Sequence, residues 1–262
     1  MSSIAETFWF LNALGEYTRL IFSVVIASFR TPPKWRLVRD QFYQIGVLSL
    51  PVVAMTGFST GLVLATQSFF QLHDKGLAGA TGILVAKSMV TELGPVLTAF
   101  MITGRVGAAM CAELGTMQVT EQIDALETMS VDPNAYLISP RFIAGTIMTP
   151  LLTIFSVMMG IVGGYLIAVY FFKMAPNSYY DPIRDYMTNF DFFIGLVKSF
   201  FFGILIITIC CYKGINTSGG AEGVGRATTN SVVICYTAIL FSNFFLTMGL
   251  NLVRSQIERF IL

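Results

Sequence analysis

Residue types that carry out chemistry are few in this 262-residue chain, and their spacing fits no common catalytic or metal site. The single histidine, His73, cannot by itself make a zinc site or a charge relay. Residues 81–88 read TGILVAKS and lack both glycines of a Walker A loop, and the glycine-rich residues 214–225 follow an apolar segment rather than a strand. We therefore expect no metal or cofactor on this chain, and any ATP and Mg²⁺ to be bound by another subunit. Four cysteines without CxxC spacing are expected to be packing residues: Cys111, Cys210, Cys211 and Cys235.

The most unusual charged residue is Glu92, which lies in the middle of an apolar segment. A charge at the centre of a bilayer costs about 2.5–3.5 kcal/mol on insertion scales, so such a residue faces a cavity or a partner. Pro95, three residues after Glu92, removes a backbone hydrogen bond and clashes with the carbonyl of Thr91. Together with Gly94 it predicts a kink. Two interpretations remain open. Glu92 lines a wet or lipid-holding cavity, or it only fixes packing through an ion pair with Lys87 or an interhelical hydrogen bond.

A second charged feature is the acidic segment between Thr116 and Pro133, which the spacing predicts to be an amphipathic helix. A loop on the cytoplasmic side is usually basic, yet this one is acidic, and anionic lipid headgroups would repel it. We expect it to bind a protein surface with basic residues. The alternative is a solvated amphipathic helix. Its apolar face holds Val119, Ile123, Leu126 and Met129, and its acidic stripe holds Glu121, Asp124 and Glu127.

Composition indicates the class of protein that positions these residues. The chain is 55% apolar and 12% charged, with a mean hydropathy of +0.71, whereas a soluble domain carries about 25% charged residues. The net charge of +1 gives no reason to expect nucleic acid as a partner. The sequence therefore predicts an integral membrane protein.

Apolar runs predict five transmembrane helices, at about residues 45–70, 78–104, 142–172, 192–212 and 230–253. Lys198 falls near one end of the fourth, where we expect its side chain to reach the interface. The fold class expected is an all-α integral membrane protein with five transmembrane helices. Three further helices are expected, namely an N-terminal interfacial helix, a cytoplasmic coupling helix and a short periplasmic amphipathic helix.

Flanking segments complete this domain organisation. Residues 1–40 are predicted to be an interfacial or cytoplasmic helix and linker, with residues 7–29 lying in the interface or, alternatively, making a sixth crossing. Residues 41–262 form the membrane domain. Basic residues favour a cytoplasmic N-terminus. On the opposite side, residues 179–190 are predicted to be a short helix with Asp181 as N-cap and Pro182 at its first position.

Small residues recur inside the spans at spacings that let helices approach closely. They are Gly57 and Gly61 in the first span, and Gly160, Gly163 and Gly164 in the third. We expect them to be packing positions, and the spacing alone leaves open whether the packing is within one chain or between two.

Between residues 92 and 133 the chain carries a series of long motifs. They are ELGP at 92–95, GRVG at 104–107, AELGTM at 112–117, TEQIDAL at 120–126 and VDP at 131–133, and RATT follows at 226–229. Together they closely resemble the MlaE/YrbE family of ABC-transporter permeases. The resemblance covers nearly the whole chain after about residue 40.

This resemblance implies a homodimeric permease of the bacterial inner membrane with a groove for phospholipid between its two copies, acting in outer-membrane lipid asymmetry. Its implied partners are a cytoplasmic ABC ATPase, periplasmic MCE-domain subunits and a small STAS-domain protein. The segment 117–131 would be the coupling helix. Glu92 matches the family's carboxylate near the lipid cavity, and we expect Leu64, Gly94 and Pro95 to line the same cavity. The residues expected to couple to the ATPase are Glu113, Thr120, Glu121, Gln122, Asp124 and Glu127. This chain has Thr91 where some members have a basic residue.

Three functions are compared on this basis. The leading hypothesis is a non-catalytic permease subunit that moves phospholipid, with ATP hydrolysis in a partner. The alternative is a membrane scaffold that anchors an ATPase and an MCE protein without binding lipid. An intramembrane enzyme would need a nucleophile–base pair or a metal constellation, and none is present in the sequence.

Overall fold

The computed structural model describes residues 35–261, and every regular element in that range is helical. Pi-helical turns at Met89–Leu93, Thr103–Gly107, Asn134–Ile138 and Ile167–Phe171 connect or extend several of the helices. The α-helices are α1 (Trp35–Ile45), α2 (Leu50–His73), α3 (Thr81–Ser88), α4 (Gly94–Ile102), α5 (Ala108–Val119), α6 (Gln122–Thr128), α7 (Ser139–Leu166), α8 (Pro176–Tyr186), α9 (Asn189–Ile215) and α10 (Gly220–Ile261).

Five helical stretches in the described range are long and apolar enough to cross a membrane, which confirms the predicted fold class. Each extends beyond its apolar run because polar residues at both ends remain helical. The prediction for residues 7–29 lies outside the described residues. The five spans are Trp35–His73, Ala78–Val119, Asn134–Phe171, Asn189–Ile215 and Gly220–Gln256.

The chain divides into two compact units, each formed by several separate segments. Unit I contains residues 35–45, 103–146 and 204–236, and unit II contains residues 46–102, 147–203 and the chain from 237 onward. Unit II holds Glu92. Unit I holds the acidic segment.

Glycines in unit II let α2 and α7 pack backbone to backbone within the chain. A Cβ on Gly61 would lie 1.8 Å from the carbonyl oxygen of Gly160, and one on Gly57 would lie 2.3 Å from that of Ser156. Neither position has room for a side chain. The GxxxG spacing therefore serves contacts within one chain. Beside this seam lies a buried cluster formed by Ala65, Val85, Met89, Val90 and Val157.

Helix α8 differs from its predicted position. The prediction began the helix near residue 179 with Asp181 as N-cap, but α8 begins at Pro176 after an extended Ala175, and Pro182 lies inside it. The earlier start places Tyr179 against the spans, where it is fully buried and its phenol donates to the carbonyl of Ile161 at 3.2 Å. Burial raises the pKa of the Tyr179 phenol, so it stays a neutral donor.

The acidic segment also differs from its prediction as one helix. Helix α5 ends at Val119, Glu121 adopts a left-handed conformation with φ of 59°, and α6 covers only Gln122–Thr128. A left-handed residue ends a helix because the next residues turn away from its axis. Ile123 is the buried residue of α6, and Met129, predicted to share its face, is exposed.

Candidate functional site

An ion pair in unit II joins the second and fourth spans. The ammonium nitrogen of Lys198 lies 2.7 Å from Oε1 of Glu92, and the Lys198 side chain is completely enclosed, whereas that of Glu92 is 38% exposed. The prediction that Lys198 reaches the interface is therefore wrong. Its countercharge comes from Glu92 on another span, which neutralises an enclosed cation that would otherwise be costly in this environment.

Pro95 supplies a second acceptor for the same cation. A proline has no backbone N–H, so in an α-helix it leaves the carbonyl four residues earlier without its usual donor. That carbonyl belongs to Thr91, and Nζ of Lys198 donates to it at 3.0 Å. The helix accommodates Pro95 with the π-helical turn Met89–Leu93, in which the N–H of Gly94 bonds the carbonyl of Met89. The sequence predicted a kink here; the structure has a π-helical turn at this position, and the kink itself stays a prediction.

The fifth span completes the site with two polar side chains one helical turn apart. The amide of Asn243 donates to Oε2 of Glu92 at 3.1 Å. The hydroxyl of Thr247 accepts from Lys198 at 2.7 Å and lies 3.2 Å from Oε1 of Glu92. We call the group of Glu92, Lys198, Asn243 and Thr247 the polar cluster. It connects three spans through hydrogen bonds.

The contacts in the polar cluster show which of the two partners considered for Glu92, Lys87 or a hydrogen-bonding group on another helix, is present. The predicted ion pair with Lys87 does not form, because Lys87 lies near Asp191 instead. The interhelical hydrogen bonds do form. Sequence reasoning missed Asn243 and Thr247, although their i, i+4 spacing in an apolar span was a signal that one face of this helix has a polar neighbour.

The other predicted cavity residues make contacts different from those of Glu92. Gly94 and Pro95 are buried in α4. Leu64 is partly buried and packs against the cluster that contains Met89 and Val90. The structure thus brings Leu64 to the second span, and its role toward lipid stays a prediction.

The predicted coupling residues lie in unit I on or beside α6. Thr120, Glu121, Gln122, Asp124 and Glu127 are all exposed. The amide of Gln122 donates to the hydroxyl of Thr120 at 3.0 Å, which stabilises the turn between α5 and α6. The exposed surface of this turn is acidic, and its role in binding an ATPase stays a prediction.

Glu113 makes a different kind of contact from the rest of the coupling set. Its carboxylate lies 2.9 Å from a guanidinium nitrogen of Arg141, which is almost fully buried at the start of α7. Arg141 also donates to the carbonyl of Leu137 at 3.1 Å. The pair closes the chain segment that contains α6, because one partner precedes that helix and the other follows it. Glu113 thus holds the acidic segment in place within unit I.

Metal-ligand geometry is absent from the described range, where no three histidine, cysteine, aspartate or glutamate side chains converge. The four cysteines are free and buried. The sulfur atoms of Cys210 and Cys235 lie 3.7 Å apart between α9 and α10 in unit I. They act as small packing residues there.

Comparison with known proteins gives a consistent result over most of the chain. A family model described as permease MlaE matches residues 38–249. A probable ABC transporter permease protein of Rickettsia felis is 42% identical over 242 residues, 92% of this chain and 93% of that protein. The intermembrane phospholipid transport system permease protein MlaE of Haemophilus influenzae is 35% identical over 239 residues, 91% of this chain and 92% of that protein. Protein TRIGALACTOSYLDIACYLGLYCEROL 1, chloroplastic, of Arabidopsis thaliana is 34% identical over 224 residues, 86% of this chain and 64% of that protein.

Proposed function

This chain belongs to the MlaE permease family, and from that premise we propose that it moves phospholipid between a bacterial inner membrane and a periplasmic conduit of MCE-domain subunits. It is a multi-pass permease of an ABC transporter, in a family involved in intermembrane phospholipid transport. In the proposal two copies form a homodimer. A cytoplasmic ATPase partner binds ATP and Mg²⁺ and supplies the energy, and a STAS-domain protein joins the complex.

The observation that carries this proposal is the unequal exposure of the two ions in the polar cluster. Lys198 is enclosed on all sides, but Glu92 is 38% exposed within a membrane-spanning segment. A carboxylate in that position presents a polar group to an otherwise apolar surface. Such a surface suits an amphiphile, whose headgroup or accompanying water is hydrogen-bonded while its tails contact apolar side chains. In the proposal Leu64, Gly94 and Pro95 belong to the same cavity wall.

The exposed acidic surface around α6 supports the second part of the proposal, which is the contact with the ATPase. Asp124, Glu127 and Glu121 present three carboxylates on a short segment, and a basic partner surface would complement them. The Glu113–Arg141 pair limits how far this segment moves on its own. A displacement imposed on α6 would therefore pass to the helices on either side. One of them, α5, belongs to the second span, which also contains Glu92.

The N-terminus is cytoplasmic in this proposal. In the proposal the acidic segment lies on the same side of the membrane as residue 35, since two of the five candidate spans separate them. The ATPase then binds on that side and the MCE subunits bind on the opposite side, near α8.

We test transport directly with Glu92→Gln in the complete complex reconstituted into liposomes. We expect phospholipid transfer to fall roughly ten- to hundredfold, because a charge-assisted hydrogen bond contributes about 1.5–3 kcal/mol. The matched control is Glu222→Gln, which changes a carboxylate of an exposed ion pair and should transfer phospholipid at the wild-type rate. Unchanged transfer by Glu92→Gln, with normal assembly of the complex, would favour the scaffold alternative.

A further inference from the structure

A second charged cluster in unit II lies outside the polar cluster and has a different charge balance. Asp191 is fully enclosed, and its Oδ1 lies 3.1 Å from a guanidinium nitrogen of Arg254 and 4.0 Å from Nζ of Lys87. Its Oδ2 accepts hydrogen bonds from the backbone N–H and the hydroxyl of Thr188, at 3.0 and 2.9 Å. One carboxylate therefore holds two cations from two other spans.

The exposed surface of this cluster is cationic. The Lys87 side chain is 44% exposed and that of Arg254 is 28% exposed, whereas the Asp191 side chain has no exposed area. The three charges sum to one positive charge. Because both nitrogens lie within 4.0 Å of the same oxygen, they are at most about 7 Å apart. A single phosphate can bridge two cations at that separation with N–H···O bonds of about 2.7–2.9 Å.

Helix length indicates that the cluster lies at the level of phospholipid phosphates. Asp191 is the third residue of α9, which has 27 residues and is about 40 Å long at 1.5 Å per residue. The hydrocarbon core of a bilayer is about 30 Å thick, so the ends of this helix reach the headgroup region. Arg254 is close to the end of the fifth span, which agrees with this level.

An apolar groove of about 230 Å³ begins beside the cluster. Phe192, which lines it, follows Asp191 in the chain, and Val90, which also lines it, is three residues from Lys87 and so about one helical turn away. Ile154, Met158, Phe192 and Leu196 are exposed on the groove, which is therefore open to the outside. The remaining lining residues are Thr153, Val157, Ile161 and Gly195.

We propose that Lys87 and Arg254, held together by Asp191, bind the phosphate of a phospholipid, one of whose acyl chains occupies this groove. A phospholipid is the ligand that fits both features, since a cationic pair at headgroup level adjoins an apolar groove at hydrocarbon level. A free phosphate ion would use the cations but leave the groove empty. A second copy of the chain would cover the groove but has no need of the cations.

This site is separate from the polar cluster. Lys198 is seven residues from Asp191 on α9, a distance of about 10 Å along the axis, and its charge is balanced by Glu92. The choice of phospholipid as ligand rests on the proposed function, but the binding proposed here does not require that the protein transports lipid. Binding is measured without nucleotide or ATPase partner, so a failure here and a failure of transport give different results.

The phosphate part is tested by native mass spectrometry of the full-length chain in detergent micelles. The chain is titrated with dioleoylphosphatidylglycerol or with dioleoylglycerol, which has the same acyl chains but no phosphate. We expect wild type to prefer the phospholipid, and Lys87→Gln to weaken its binding about tenfold. Lys75→Gln, which removes an exposed cation from the loop after α2, should bind like wild type. Equal binding of both lipids, or unchanged binding by Lys87→Gln, would overturn the proposal.

The groove is tested in the same assay by filling it. Met158→Trp should reduce phospholipid binding, whereas Leu151→Trp, an exposed position on α7 that does not line the groove, should not. Displacement of the lipid by millimolar inorganic phosphate with no effect of Met158→Trp would show a free-anion site and overturn the lipid proposal. Disulfide crosslinking between two copies of a Met158→Cys variant would overturn it by showing that a second copy occupies the groove.

Discussion

At the residue scale, the two charged residues of the polar cluster, Lys198 and Glu92, are buried to different extents. Lys198 is enclosed and depends on Glu92, the Thr91 carbonyl and Thr247 for its solvation. Glu92 is partly exposed and also accepts from Asn243. Removing one partner of a buried pair leaves the other charge uncompensated, and the cost depends on how buried the remaining charge is.

We therefore expect Glu92→Gln to destabilise the fold more than Lys198→Met. The first change leaves an enclosed cation and should cost about 3 kcal/mol, at the lower end of the range for breaking a buried pair. The second leaves a carboxylate that retains Asn243, Thr247 and partial exposure, and should cost about 1 kcal/mol. Unfolding by SDS in mixed micelles measures the free-energy cost of each change. The variant that carries both changes completes a double-mutant cycle. Equal costs, or a larger cost for Lys198→Met, would contradict the assigned burial.

The sequence identified Glu92 as a charge that needs a partner, but the ion-pair partner it proposed, Lys87, is wrong. A carboxylate in an apolar run is conspicuous by itself. Its partner depends on which faces of three helices meet. The spacing of Asn243 and Thr247 marked one of those faces, but nothing in the sequence marked the face of the fourth span that carries Lys198. Lys198 lay near the end of its apolar run, so the interface was the expected location. The open carbonyl of Thr91 follows from Pro95 by sequence alone, since proline affects the residue four positions earlier.

At the scale of elements, close packing of α2 on α7 positions the second span beside them. The backbone contacts at Gly57 and Gly61 leave no space for a methyl group. The buried cluster containing Met89 and Val90 lies beside this seam. The turn that carries Glu92 follows Met89 directly. The geometry of the polar cluster thus depends on small residues some distance from it.

Gly61→Ala should therefore destabilise the protein by about 2 kcal/mol or more, because overpacking forces the backbone of α7 to move. The matched control is Gly249→Ala in α10, where a Cβ would meet nothing within 4 Å. That change should be neutral or stabilising by up to about 1 kcal/mol, since alanine is the better helix former. Unfolding in mixed micelles again reports both. A Gly61→Ala variant as stable as Gly249→Ala would contradict the close contact.

Helix boundaries were less predictable than helix existence. The five spans follow from apolar runs, but the acidic segment was expected as one helix and is divided at Glu121. Glutamate has no preference for a left-handed conformation, so no local signal marked the break. Helix α8 begins before its predicted start, and local sequence gave no signal of this either, because the spans bury Tyr179 through tertiary contacts. Local patterns do not report contacts that distant segments supply.

For the whole molecule, the order of the five spans in the described range determines which loops share a side of the membrane. The loop after α2 and the helix α8 should lie on one side, and the acidic segment should lie on the other. This arrangement separates the surface proposed for the ATPase from the surface proposed for the MCE subunits.

Labelling of single introduced cysteines tests this arrangement. Lys75→Cys and Arg184→Cys should react with a membrane-impermeant maleimide from the periplasmic side, and Glu127→Cys should react only in inverted vesicles. The four natural cysteines are buried and should give a low background. Reaction of Glu127→Cys and Lys75→Cys from the same side would contradict the five-span topology.

The proposed function requires that ATP hydrolysis in a partner subunit drives lipid movement by this chain. The most direct measurement is transfer of a fluorescent phospholipid between liposomes that contain the complete complex and acceptor vesicles. We predict transfer that requires both ATP and the ATPase subunit, and that falls at least about tenfold when Glu121→Lys and Asp124→Lys are combined in a complex that still inserts into the membrane. Transfer at the full rate by this chain alone, without ATP, would contradict the account.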